Sequence, residues 1–355
     1  MIAWVEGFDD VDAASLDAKW PGSTLAGGVT TDVGRSSIFV GNGRCLLMPT
    51  TQITLRSPEL TPATEWVISA QIRMNAPVGF KLFSLMFGSI ELMSLWVFSV
   101  DTTKWRLEAR RGTDVIATTL PMLKSTTFRL VEFRVKVDDE DGEVELRVDQ
   151  VRRMLRKKVI TDLSGAGSAN RVEVGLKLSG TGNAGDNAID DLIVTNNVDS
   201  SESEKSGFMG NVRVLLSNPE TDVSKEWDTS AGTNHADLVD DTALDEDTTY
   251  LTVDDQGFLD TFEFGKMAPR KVQGSIVAVW LEAYARGDGV GVAKLRITQT
   301  ADENSPDTVV GPSLIGSADY RAVAGASERV MVDGVSYPWT VPVLDSTVFG
   351  LLSSY

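Results

Sequence analysis

Phe133-Arg134-Val135-Lys136-Val137-Asp138-Asp139-Glu140-Asp141-Gly142-Glu143-Val144-Glu145-Leu146-Arg147-Val148-Asp149 is the stretch that decides the fold. Apolar and charged side chains alternate on both sides of an acidic turn. A period of two places every second side chain on one face of an extended strand. Two such runs joined through Asp-Gly form an antiparallel hairpin with one buried and one solvated face. Outward from it the same texture recurs. Trp66-Val67-Ile68-Ser69-Ala70-Gln71-Ile72-Arg73-Met74 alternates for most of its length, and Arg171 to Leu178 and Ala188 to Val194 read as two more strands. Ser37-Ile38-Phe39-Val40 and Cys45-Leu46-Leu47-Met48 flank Gly41-Asn42-Gly43, a second hairpin signal. Short strands at this spacing with glycine turns predict a β-sandwich.

The polar run Val198-Asp199-Ser200-Ser201-Glu202-Ser203-Glu204-Lys205-Ser206-Gly207 separates two halves of different charge. Residues 1–197 carry a net charge of −3 and residues 198–355 a net charge of −15, out of −18 for the 355-residue chain. The linker is placed at residues 198–210. Beyond it comes the apolar stretch Asn211 to Leu216, then an irregular region from about Ser217 to Gly257 that is rich in Asp, Thr and Ser. Strands are expected again at Ser275 to Tyr284, Val292 to Thr300 and Glu328 to Val332, with Gly287-Asp288-Gly289 as a turn. The fold class is all-β: two β-sandwich domains over residues 1–197 and 211–355.

The composition excludes several chemistries. Cys45 is the only cysteine, so no intrachain disulfide and no cysteine-built zinc site forms; its apolar neighbours predict a buried thiol. His235 is the only histidine, which excludes multi-histidine metal centres and leaves a single residue on which a Ser-His-Asp triad could be built. Its setting, Gly232-Thr233-Asn234-His235-Ala236, reads as an exposed loop. The acidic surface repels phosphate, so neither nucleic acid nor an anionic membrane is an expected partner. No apolar run reaches membrane-spanning length, and the N-terminus lacks the pattern of a secretory signal.

Three pieces of the first half resemble the concanavalin-like, or laminin-G-like, jelly roll: Glu6-Gly7-Phe8-Asp9-Asp10, the hairpin already quoted, and the closing strand Ile189-Asp190-Asp191-Leu192-Ile193-Val194. The second half resembles a recurrent domain of phage tail and other virion proteins, through Lys225-Glu226-Trp227, Asp245-Glu246-Asp247-Thr248-Thr249-Tyr250-Leu251 and Tyr337-Pro338-Trp339-Thr340-Val341 with Val348-Phe349-Gly350. The resemblance implies a structural component of a bacteriophage particle, tail, tail-tip or fibre associated. It would be assembled in the host cytoplasm as a homo-oligomer beside other phage structural proteins. The alternatives are capsid decoration and a module that binds a host surface glycan.

Candidate sites follow. The jelly-roll resemblance implies a structural calcium at Asp9, Asp190 and Asp191, with Glu6 and Asp10 nearby, since calcium takes six to eight hard oxygen ligands. The bland reading of the same residues is strand-end and turn capping. The acidic loop Asp237 to Asp247 lacks EF-hand order and reads as solvated or packed on a neighbouring subunit. For a sugar platform, Trp96 and Trp105 read as core, and Trp20, before Pro21-Gly22, as a more exposed ring. No motif selects a carboxylate pair for glycoside hydrolysis, so a non-enzymatic protein is expected. The basic cluster Arg152-Arg153-Met154-Leu155-Arg156-Lys157-Lys158 reads as a protected sheet edge, or, through Arg152 and Arg153, as a contact for an acidic neighbouring subunit.

Overall fold

The computed structural model describes residues 1–8, 19–20, 23, 31–33, 44–47, 53–75, 79–176, 187–198, 207–240, 247–267, 275–287, 294–300, 308–315, 321–327, 329–332 and 335–354. The chain forms two units, Met1–Leu215 and Leu216–Tyr355, and both are antiparallel β structures.

The strands of the first unit are β1 (Ile2–Glu6), β2 (Thr31–Val33), β3 (Arg44–Leu47), β4 (Ile53–Arg56), β5 (Glu65–Met74), β6 (Phe80–Phe87), β7 (Ile90–Ser99), β8 (Lys104–Arg111), β9 (Asp114–Thr118), β10 (Met122–Leu123), β11 (Ser125–Lys136), β12 (Gly142–Val148), β13 (Val151–Val159), β14 (Arg171–Leu176) and β15 (Asn187–Asn196). One sheet runs β13-β12-β11-β5-β15-β3-β2, with β1 also paired to β15; the other runs β10-β8-β7-β6-β14-β4, with β9 beside β8. The jelly-roll sandwich is built from these two sheets. Trp66, Ile68 and Ala70 of β5 stand opposite Val135, Phe133 and Val131 of β11, and all six are buried. The second sheet answers with Met93, Leu95 and Val97 of β7 and Trp105, Leu107 and Ala109 of β8. Each large apolar side chain removed from water contributes about 1.5–3 kcal/mol, so this inner alternation is what holds the sheets together.

The hairpin read from the sequence is β11–β12, paired from Val131↔Val148 to Lys136↔Glu143. Its turn is closed by Asp138, whose Oδ1 accepts the N–H groups of Glu140 (2.9 Å) and Asp141 (2.8 Å). Gly142 serves a different purpose from the one the Asp-Gly signal suggests. It is not among the positive-φ residues; instead, a Cβ there would lie 2.4 Å from Oγ1 of Thr161 and 2.5 Å from the Val159 carbonyl oxygen. The glycine makes room for the chain that leaves β13. The expected Gly41-Asn42-Gly43 hairpin lies outside the described residues, apart from β3.

Residues 207–214 cross the outer face of the first sheet without forming a strand. The Gly210 N–H donates to Oε1 of Glu132 (3.0 Å), the Val214 N–H to Oδ1 of Asp191 (2.8 Å), and Gln71 Nε2 to Oδ1 of Asn211 (3.2 Å). The Arg147 guanidinium sits 3.7 Å from the Phe208 ring centroid. Desolvation under this strap raises the Glu132 carboxyl above its ordinary range, against the Gly210 N–H and Arg147, which act to lower it. The apolar stretch that begins at Asn211 therefore covers polar side chains of the first unit.

Among the described residues of the second unit the strands are β16 (Pro219–Ser224), β17 (Asp228–Thr229), β18 (Leu251–Thr252), β19 (Leu259–Phe264), β20 (Val279–Ala285), β21 (Lys294–Thr300), β22 (Thr308–Ile315), β23 (Arg321–Ser327), β24 (Arg329–Val332), β25 (Val335–Pro338) and β26 (Val348–Ser354), with a short helix, α1 (Val341–Ser346). A five-stranded sheet, β16-β19-β26-β21-β22, and the pair β20-β23 enclose Leu281, Leu295, Ile297, Trp339 and Phe349. Trp339 and Phe349, quoted above for the virion-domain resemblance, thus belong to this core. The region read as irregular contains β16, whose Pro219 to Ser224 pair with β19; its polar sequence carries no apolar period. The expected turn at Gly287-Asp288-Gly289 lies largely outside the described residues.

Gly142→Ala is expected to destabilise the first unit by about 1–3 kcal/mol through overpacking against Thr161, read as a lower urea midpoint. An unchanged midpoint would contradict the close-approach account.

Candidate functional site

The alternation that buries Leu95 and Val97 of β7 and Leu107 and Ala109 of β8 turns Ser94, Trp96 and Phe98, with Arg106, Glu108 and Arg110, away from the core. Antiparallel pairing then lines side chains up across the second sheet. Arg56 stands opposite Glu173, Glu173 opposite Ser84, Ser84 opposite Ser94, and Ser94 opposite Arg110. This polar row crosses β4, β14, β6, β7 and β8, with charged groups at both ends and two small hydroxyls at its centre. Ser84 is 1% exposed and Ser94 0%, overlaid by their larger neighbours.

Beside the row lies an aromatic pair. The rings of Trp96 and Phe98 are stacked, with centroids 6.0 Å apart and planes inclined by 15°. Both are half-buried. The indole N–H of Trp96 donates to Oγ of Ser94 (3.0 Å). Arg110 lies over both rings, 4.6 Å from the Phe98 centroid and 5.2 Å from that of Trp96, close enough for cation–π attraction. Gly79 allows the packing, since a Cβ there would meet Cε1 of Phe98 at 3.0 Å. Glu108 holds two guanidinium groups: Arg106 reaches Oε1 at 2.7 Å and Arg110 reaches Oε2 at 2.6 Å, with the carboxylate side chain 4% exposed. Arg56 pairs with Glu173 at 2.7 Å, and Lys81 with Glu91. The result is a polar, cationic and aromatic surface on a rigid sheet.

Of three sequence expectations about aromatic residues, that for Trp105 holds and the other two are revised here. Trp96, read as core, faces outward. Trp105 is buried, and its indole donates to the Leu123 carbonyl at 2.9 Å. Trp20, read as the more exposed ring, is 0% exposed; its indole donates to Oε2 of Glu6 (3.1 Å) and it packs edge-on against Trp4. Phe98, Arg110, Glu108 and the serines were not singled out from the sequence. The signal was present in two strands that each alternate apolar residues with Ser94-x-Trp96-x-Phe98 or Arg106-x-Glu108-x-Arg110.

The residues named for calcium are engaged by the protein. Glu6 accepts the Phe8 N–H (2.9 Å) and the Trp20 indole, and pairs with Lys19. Asp190 accepts the Asp191 N–H at a bulge where Asp191 has φ +49°, and Asp191 accepts the Val214 N–H. Among the described residues no cluster of three or more metal-ligating side chains occurs. Asp9 and Asp10 lie outside the described residues. Arg152 and Arg153 are exposed on β13, the edge of the first sheet. Part of the acidic loop from Asp237 is undescribed; the part that is described includes a short 3-10 turn, Ala236–Leu238.

His235, read as exposed, is buried. Its Nδ1 lies 2.5 Å from Oδ2 of Asp260, which is itself 0% exposed and accepts the N–H groups of Glu226 (2.6 Å) and Trp227 (2.9 Å) at Oδ1. Asp222 accepts the N–H groups of His235 and Ala236 and pairs with Lys225 at 3.0 Å. Among the described residues no hydroxyl or thiol bonds the imidazole, so the pair fastens the 222–238 segment to β19. Burial acts to raise the Asp222 carboxyl, but Lys225 and the two backbone N–H groups outweigh it and hold the carboxyl below its ordinary range.

No family model matches the chain, and no curated protein does either. Solved structures do match. Alginate lyase Aly36B, as a mutant in complex with alginate tetrasaccharide, shares 9% identity at a TM-score of 0.38, covering 55% of this chain and 96% of that one. A sialidase shares 12% identity at a TM-score of 0.37, covering 57% of this chain and 19% of that one. The CBM2 module of the evolved Dit of Lactobacillus casei BL23 phage J-1 shares 11% identity at a TM-score of 0.35, covering 54% of this chain and 95% of that one. The shared property is the sandwich fold. These matches correct the expectation of a non-enzymatic protein. Enzymes stand among the matching structures, so the lack of a motif in the sequence does not exclude catalysis.

A carboxylate held below its unfolded value stabilises above about pH 4, the unfolded range, and that stability is lost as pH falls through the lower folded value. Asp222→Asn is therefore expected to lower the stability of the full chain at pH 7, with the gap to wild type closing below about pH 4. Urea midpoints measured from pH 7 to pH 3 would show it. A gap that does not change with pH would contradict the assignment.

Proposed function

We propose that the first unit is a carbohydrate-binding module of a bacteriophage structural protein, and that its ligand surface is the outer face of the second sheet around Trp96, Phe98 and Arg110. The observation that supports this most is the joining of a rigid aromatic pair to a row of hydrogen-bonding groups across five strands. Sugars present apolar C–H faces and rings of hydroxyls, so a site that holds them needs both an aromatic surface and donors and acceptors fixed in place. Ordered sheets fix such groups better than loops do. The phage setting is supported by the sequence resemblance of the second half; there the module would carry the particle to a host surface glycan, beside other phage structural proteins.

The full chain applied to an array of neutral and anionic bacterial polysaccharides is expected to retain at least one class. Trp96→Ala is expected to weaken retention about tenfold or more, as loss of an aromatic anchor does, with an unchanged melting temperature. Retention of no polysaccharide on the array, or equal retention by the variant, would overturn the reading.

A further inference from the structure

We infer that the ligand of this face is a polysaccharide bearing carboxylate groups, received between Arg106 and Arg110; the inference rests on the binding surface proposed above. Three observations carry it.

The first is charge. Across β4, β14, β6, β7 and β8 the cations Arg56, Arg171, Lys81, Arg106 and Arg110 stand among three carboxylates, Glu173, Glu91 and Glu108. The centre of this face is positive on a chain whose net charge is −18. In an acidic protein, a positive patch on an ordered sheet attracts anions and repels none of them locally.

The second is the pairing at Glu108. One carboxylate serves two guanidinium groups, so one positive charge there has no counter-ion. Arg106 uses Nε and Nη2 on Glu108, and Arg110 uses Nε and Nη2 on the same residue. Among the described residues, Nη1 of each arginine has no acceptor. The guanidinium fork matches a planar carboxylate, and its charge-assisted hydrogen bonds are stronger than neutral ones. Arg106 and Arg110 leave the same face of β8, and their guanidinium groups converge on Glu108 from its two sides. Their side chains remain 43% and 23% exposed.

The third is the state of the rings. A neutral sugar stacks on an open aromatic face. Here Arg110 already lies over both Phe98 and Trp96. What an incoming chain meets first is the guanidinium edge, with the rings behind it holding the cation in place. The aromatic pair orients the anion-binding group as well as offering apolar surface.

The test compares polygalacturonate with the same polymer after reduction of its carboxyl groups, with poly-L-glutamate as a non-sugar polyanion, in 0.15 M salt. The expected result is binding of polygalacturonate, loss of binding on carboxyl reduction, and weaker binding of poly-L-glutamate. Arg106→Gln and Arg110→Gln, each with an unchanged melting temperature, should each weaken binding about tenfold, the scale of one charge-assisted hydrogen bond. Arg110→Lys keeps the charge but loses the fork, and should recover only part of it. Equal binding of the reduced polymer would overturn the inference and leave the carbohydrate-binding reading standing. Equal binding of poly-L-glutamate would reduce it to general attraction of polyanions and overturn it as well. Failure to bind polygalacturonate would overturn the inference alone if the array retains another polysaccharide, and both readings if it retains none.

Discussion

In an antiparallel sheet consecutive side chains leave by opposite faces, and in the first unit that constraint determines both the core and the candidate site. Once Leu95, Val97, Leu107 and Ala109 are committed to the interior, Ser94, Trp96, Phe98, Arg106, Glu108 and Arg110 have nowhere to go but the outer face. Register does the rest. A slip of β8 by one residue against β7 would send Trp105, Leu107 and Ala109 out and Arg106, Glu108 and Arg110 in, and would destroy the row that joins Arg56 to Arg110. The binding surface and the core are thus two readings of one alternation, and neither can be altered without the other.

The two outer faces of the sandwich are treated differently. On the first sheet, Glu132, Gln71, Arg147 and Asp191 are met by residues 207–214 of the same chain, whose backbone N–H groups and Phe208 ring occupy them. On the second sheet the charged groups of the row are met by one another. That contrast is why the second face is assigned to an external ligand. In the second unit the equivalent work is done by buried polar pairs. Asp260 takes three hydrogen bonds from Glu226, Trp227 and His235, which secures an otherwise polar segment that has few apolar side chains to bury.

Much of the fold was legible because period-two patterns survive in the sequence. The β11–β12 hairpin, β5 and β15 stand where alternation placed them, and an all-β sandwich follows from these alone. What escaped did so for physical reasons. Pro219 to Ser224 forms β16 although nearly every side chain is polar, because it pairs by backbone with β19 and leaves its side chains half-exposed. His235 sits among Gly, Thr and Asn, a loop composition that gives no hint of Asp260 beneath it. Trp96 lies in an apolar run, Leu95-Trp96-Val97-Phe98, in which aromatic residues on the outer face cannot be told from core residues on the inner one by hydrophobicity. Trp20 stands before Pro21-Gly22, which reads as an exposed turn, yet its indole is drawn inside by Glu6. The sequence also suggested the wrong reason for Gly142, whose role appears only when Thr161 and Val159 are seen beside it. No residue pattern selects a catalytic pair, and the lack of one does not exclude catalysis.

The central claim is that ligand meets the outer face of the second sheet, and indole resonances test it most directly. The chain has eight tryptophans, and among those described Trp66 and Trp105 are in the core of the first unit while Trp96 is on the outer face. In a nitrogen-15 labelled sample titrated with oligogalacturonate, the account expects the Trp96 indole N–H, held by Ser94, to shift progressively while those of Trp66 and Trp105 stay in place. Shifts confined to Trp227 in the second unit, or titration without any change at Trp96, would contradict it.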